Sequence, residues 1–124
     1  MNNFFFTAAL FLGLSISAFG QESLKLAMSK SASELATSKL NGNYSFILPK
    51  GTTAADVETS AKYYTLYFKV NYNESTQESS IVMVTNDEKS RHVICRFMSA
   101  SKVDKINVDG KEFTLEDFFV AYLK

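Results

Sequence analysis

The run YSFILPKGTTAADVETSAKYYTLYFKVNYNESTQESSIVMVTNDEKSRHVICRFMSASKVDKINV, residues 44–108, decides the fold. Its apolar residues recur at every second position, then at helical spacing, then twice more at every second position, then helically, and finally at every second position. Tyr44, Phe46 and Leu48 alternate with Ser45 and Ile47, predicting a strand that Pro49-Lys50-Gly51 ends. Thr53 with Asp56 is a capping box, and Val57, Ala61 and Tyr64 follow at i, i+4 and i+7, one face of a helix. Leu66, Phe68, Val70 and Tyr72 alternate with Tyr67, Lys69 and Asn71 in the cleanest strand pattern of the chain. Residues 73–79 hold no apolar side chain and read as a hairpin loop. The continuous apolar run from Ile81 to Val84 predicts a central strand contacted on both faces. Asn86, Asp87 and Glu88 offer a cap and negative charge to a helix start, and Val93, Ile94, Phe97 and Met98 stripe a helix ending near Ala100. Ile106 and Val108 mark a fourth strand.

Strand, helix, strand, strand, helix, strand is the order of an α+β, ferredoxin-like βαββαβ sandwich, an antiparallel sheet with two helices on one face. Beyond it, Asp109-Gly110 makes a two-residue turn into Lys111-Glu112-Phe113. Thr114 with Asp117 then opens a last helix presenting Leu115, Phe118, Phe119 and Tyr122. Before the core, Leu24, Leu26 and Met28 alternate with Lys25 and Ala27, so residues 22–30 read as a short edge strand or an extended arm. Ser31-Ala-Ser-Glu34 is a capping-box pattern for a helix over 32–40, which Asn41-Gly42 stops. The organisation expected is therefore an N-terminal arm and helix over 21–42 and an α+β domain over 43–124.

Residues 1–20 are a separate compositional unit. Phe4-Phe-Phe-Thr-Ala-Ala-Leu-Phe-Leu-Gly-Leu14 is shorter than the roughly twenty residues of a bilayer span, and Ala18-Phe19-Gly20 sets small residues where signal peptidase cleaves. The stretch reads as a cleaved signal peptide, although Met1-Asn2-Asn3 carries no Lys or Arg. The expected protein is exported, periplasmic or secreted, with no membrane span after cleavage.

Charge narrows the partners. The 13 basic and 13 acidic residues all follow residue 20, so the processed chain is neutral and lacks the electrostatic footprint of a nucleic-acid binder. Cys95 is the single cysteine, which excludes an intramolecular disulfide and leaves an intermolecular one open.

The element order resembles heavy-metal-associated domains and the propeptide-like inhibitors of subtilisin-type proteases, over about 70 of the 124 residues and without a shared motif. In the metal-binding family the loop after the first strand carries two cysteines; here that loop, Pro49-Lys-Gly-Thr-Thr-Ala-Ala-Asp56, has none, so that metal site is not carried over. The inhibitor resemblance implies a protease as an alternative partner.

Chemistry-bearing residues are sparse. His92 and Cys95, three apart on a predicted helix, are the candidates for a metal pair or an imidazole-activated thiolate, against a plain reading as a surface histidine and a small buried hydrophobe. A nucleophilic triad needs a base, and His92 is the only histidine. Asp87/Glu88 and Glu116/Asp117 stand in first helical turns, where carboxylates offset the helix dipole. The expectation is a non-enzymatic module without a cofactor.

One surface remains. If Tyr44, Phe46, Phe68 and Val70 face the helices, then Ile47, Tyr67, Val82 and Val84 face away, and four apolar residues there need a cover. The chain itself offers the last helix, with Phe118, Phe119 and Tyr122, or the arm with Leu24 and Leu26. The alternative is a protein partner, a peptide strand at an exposed edge, or a homodimer.

Overall fold

The computed structural model of the chain describes residues 25–124, so the expected signal peptide and Leu24 lie outside the described residues. The elements are β1 (Leu26–Ser29), α1 (Ala32–Asn41), β2 (Asn43–Ile47), α2 (Ala54–Ala61) with a 3-10 turn at Lys62–Tyr64, β3 (Phe68–Asn73), β4 (Glu78–Met83), α3 (Glu88–Ala100), β5 (Lys105–Val108), β6 (Lys111–Thr114), and α4 (Leu115–Phe118) running into a π-helix, Phe119–Leu123. One mixed sheet holds all six strands in the order β3-β4-β2-β1-β5-β6.

That order departs from the ferredoxin-like sandwich expected from the sequence. In the four-stranded version β5 would lie directly against β2, but here β1 stands between them, antiparallel to β2 and parallel to β5. The alternation of Leu26 and Met28 predicted an edge strand with those side chains inward, and both points reverse. Ala27 is the fully buried member, in register with the equally buried Ile106, while Met28 turns to the opposite face beside Ile47. Hydrophobic parity misleads in a four-residue strand because its inward positions carry the small Ala27 and Ser29, whose hydroxyl is buried.

Local signals set the helix ends. Thr53 and Asp56 form the full reciprocal capping box on α2, Ser31 caps α1 through the Glu34 amide, and Asp87 caps α3 through the Ser90 amide at 2.8 Å. Gly42 closes α1 at φ +79°, with an added Cβ only 3.3 Å from that of Met83, so both conformation and space require glycine there. Two long-range caps then tie helices to turns: the Ala32 amide donates to Asp109 Oδ2 at 3.0 Å, and the Ala54 amide to Glu74 Oε1 at 2.8 Å. Asp109 and Gly110, both at positive φ, form the expected tight turn of the β5–β6 hairpin.

The core lies between the sheet and the helices. Phe46, Phe68, Phe97, Phe118, Ile81 and Ile94 are among its fully buried side chains, with Phe97 set edge-on to Phe68 and Phe118 edge-on to Phe46. Val93, Ile94, Phe97 and Met98, the predicted stripe of α3, are all buried. The polar residues Glu78 and Ser79, expected in the hairpin loop, belong to β4. Buried Ser79 stays polar without cost because its hydroxyl donates to the Phe46 carbonyl at 3.2 Å.

Candidate functional site

His92 and Cys95 both point at the segment after β6, but not at each other's chemistry. His92 Nε2 lies 3.1 Å from Glu116 Oε1, and its ring stacks on Phe119 with centroids 4.0 Å apart. Cys95 Sγ donates to the Leu115 carbonyl at 3.4 Å from a buried position. Burial, with a smaller push from the Glu116 charge, raises the Cys95 thiol from 9.0 to about 12. An activated thiolate needs the reverse shift, so this pair packs the chain terminus onto α3 rather than arming a nucleophile. Among the described residues no three His, Cys, Asp or Glu side chains converge as a metal site.

The same burial carries a pH consequence. The unfolded chain ionises Cys95 near 9.0 and Tyr44 near 10.0, whereas the folded chain holds both neutral to about 12, in each case chiefly by desolvation. These groups therefore stabilise the fold fully below pH 9, and that contribution is lost as pH climbs from 9 towards 12. Thermal melts across this range should show the decline beginning near 9 in the native protein and near 10 in Cys95→Ala. Cys95 should also resist an aromatic disulfide reagent until the protein is unfolded; rapid labelling of the native state would contradict its burial.

Among the described residues the open face has no cover: the last helix and Leu26, expected over it, lie elsewhere. The residues after β6 pack on α3 and α1, on the helix side, with Phe118, Phe119 and Leu123 buried, and β1 is part of the sheet itself. Ile47, Val82 and Val84 are accordingly 38%, 52% and 56% exposed, while Tyr67 is half-buried. Val82 corrects the expectation that this strand is contacted on both faces. The exposed apolar residues do not form one patch, however. Val82 and Val84 stand towards one end of β4, Ile47 pairs with Met28 and Glu78 at the other, and Ser45 and Ser80 lie in register between them. Ser45 donates its hydroxyl to the Glu78 carboxylate, keeping that middle row polar.

The strand edge is better built. β3 is an edge strand of six residues with no proline, against four residues in β6 at the opposite edge. The Val84 amide donates to the Tyr67 carbonyl at 2.9 Å, so Tyr67, Lys69 and Asn71 direct their backbone groups inward to β4. Phe68, Val70 and Tyr72 consequently turn their N–H and C=O groups to an edge that no other strand of the described residues pairs. Beside that edge runs a groove of about 560 Å³ between β3 and α2, floored by Val70 and Tyr72 and walled by Ala54, Val57 and Ala61 with Glu58 and Lys62. The spacing of the α2 residues at i, i+3, i+4, i+7 and i+8 is one helical face turned to the groove. The Tyr72 hydroxyl donates to the Thr52 carbonyl at 2.8 Å, which locks the aromatic floor. Sequence reasoning read Val57, Ala61, Val70 and Tyr72 as core alone, because periodicity shows which residues turn inward and not that the strand they border has an unpaired side.

A larger cleft, about 810 Å³, lies where the loop after β2 meets the end of α3 and is edged by Lys25, Lys50 and Lys102. Its charges have local tasks. Lys25 pairs with Asp104 at 3.6 Å, Lys102 follows the C-terminus of α3 where a cation offsets the dipole, and Asp56 reaches back to the Thr53 amide. No helix of the described residues is long and apolar enough to cross a membrane. No protein-family model, no curated protein and no solved structure matches the chain at a significant level.

Proposed function

We infer that the protein is a small, exported, non-enzymatic binding module that receives an extended polypeptide strand along the free edge of β3. The observation that carries this reading is the coincidence of unpaired backbone on Phe68, Val70 and Tyr72 with an apolar groove beside the same strand. Main-chain hydrogen bonds supply affinity in such strand addition, and pockets for alternate side chains supply preference. Here the α2 wall takes small or β-branched side chains against Ala54, Val57 and Ala61. The open face is the weaker surface of the two, because its apolar residues are split by the polar pair Ser45 and Ser80. Export rests on residues 1–20, and mass spectrometry of the N-terminus after expression through the secretory route tests it by whether Gln21 becomes the first residue.

Binding is tested by selecting peptides from a random displayed library and titrating a selected peptide into isotope-labelled protein. The amides of Phe68, Val70 and Tyr72 should shift and gain protection from hydrogen exchange. Shifts centred on Ile47 and Val82 instead would move the site to the sheet face, and a library that yields no binder would remove the reading.

A further inference from the structure

We propose that the strand received by β3 is the β3 of a second copy, so that the protein is a two-fold dimer with one sheet continuous across both subunits. This rests on the strand-receiving reading of that edge and names its occupant.

The argument is the self-complementarity of the edge. A two-fold axis through Val70 sets Val70 opposite Val70 and Phe68 opposite Tyr72 of the other copy, and the outward-facing residues meet as hydrogen-bonded pairs. An axis through Asn71 overlaps the strands to the same length but pairs only Val70 with Tyr72 among the outward residues and leaves Phe68 beyond the overlap. The axis through Val70 is therefore the one that pairs all three. The aromatic pairs then lie on the helix side of the sheet, where aromatic cross-strand pairs stabilise. On the open side each Lys69 faces Asn71 of the other copy, so the one charged residue of the strand never meets its own image.

The groove obeys the same symmetry. Glu58 on α2 and Lys62, its C-cap, lie one turn apart, and a two-fold relation runs the helices antiparallel, bringing Glu58 of one copy towards Lys62 of the other. Ala54 and Ala61 keep the helix surface low enough for close approach. In the segment that leads into β3, Tyr63 and Leu66 are 71% and 82% exposed.

The register makes a charge test that spares the monomer, because Lys69 and Asn71 are both exposed and pair only with Val82 and Ser80 of β4. The exported protein is followed by analytical ultracentrifugation over a concentration series, with reductant present to remove any Cys95-linked species. The native protein should dimerise reversibly. Asn71→Lys, which sets lysine against lysine twice across the axis, should weaken the dimer roughly tenfold, and Asn71→Glu should strengthen it by a similar factor. Lys69→Glu combined with Asn71→Lys should restore it.

A protein that stays monomeric at every concentration overturns the inference. So does a dimer indifferent to all three variants, since it must use another surface. If the monomer nevertheless shifts at Phe68, Val70 and Tyr72 on addition of a selected peptide, the strand-receiving reading stands and only the second copy is removed as occupant.

Discussion

Arg91→Ala should lower the unfolding free energy by about 3–5 kcal/mol, the loss expected when a buried cationic donor leaves several acceptors behind. Arg91 is only 8% exposed although it carries a permanent charge. Its Nε donates to the Leu123 carbonyl at 2.6 Å, and one terminal nitrogen donates to the Asn86 carbonyl at 2.9 Å and to Asn86 Oδ1 at 3.2 Å. The other reaches the Lys124 carbonyl at 3.5 Å. No carboxylate pairs with it among the described residues; the cation is held by the carbonyl end of the π-helix, where the dipole is negative, and by the turn before α3. Removing it strands the buried Leu123 carbonyl and leaves the part-buried Asn86 and Lys124 carbonyls without their charged donor. Arg91→Lys should recover less than half the loss, because an ammonium cannot span acceptors that a planar fork reaches together. Urea unfolding followed by far-ultraviolet circular dichroism measures both, and a loss below about 1 kcal/mol for Arg91→Ala would show that the network contributes little.

The second large effect belongs to Phe46→Ala, with an expected cost of about 3–5 kcal/mol from lost burial and the cavity left behind. Phe46 is 1% exposed, stacks at 6.3 Å on Tyr44 and meets Phe118 edge-on at 5.9 Å. It therefore connects the centre of the sheet to the segment after β6, and its loss should reach beyond stability. Amides of α4 and the π-helix should exchange faster in the variant, whereas those of β3 and β4 should slow or speed only with global stability. Val82→Ala, at a half-exposed site on the open face, should stay within about 0.5 kcal/mol of the native protein. Equal losses at both sites would mean that the open face is buried in solution, as a covering partner would make it.

Much of the fold was legible because its signals are local. The caps at Ser31, Thr53, Asp87 and Thr114 all form, and the inward set Tyr44, Phe46, Phe68 and Ile81 is buried as alternation requires. The assignment of Ile47, Val82 and Val84 to the outer face followed from the same period of two. The final helix was legible in its start but not in its form: Thr114 caps one α-turn, after which Phe119–Leu123 winds as a π-helix. Phe119 is stacked there on His92, and the Leu123 and Lys124 carbonyls are bound by Arg91, none of which a helical stripe announces.

By itself the sequence determined an α+β chain of alternating strands and capped helices, with balanced charge and one cysteine. Those properties depend on neighbours within about one helical turn or on simple counts. Only the tertiary structure decided that β1 enters the sheet between β2 and β5, that the last segment packs on the helices rather than on the opposite sheet face, and that β3 is the edge strand beside α2 among the described residues. Strand order depends on pairings between residues far apart in the chain, such as Ala27 with Ile106, and each such pairing competes with others of equal local merit. What separates them is the joint packing of the whole core, so the candidate site came into view only when the sheet was complete.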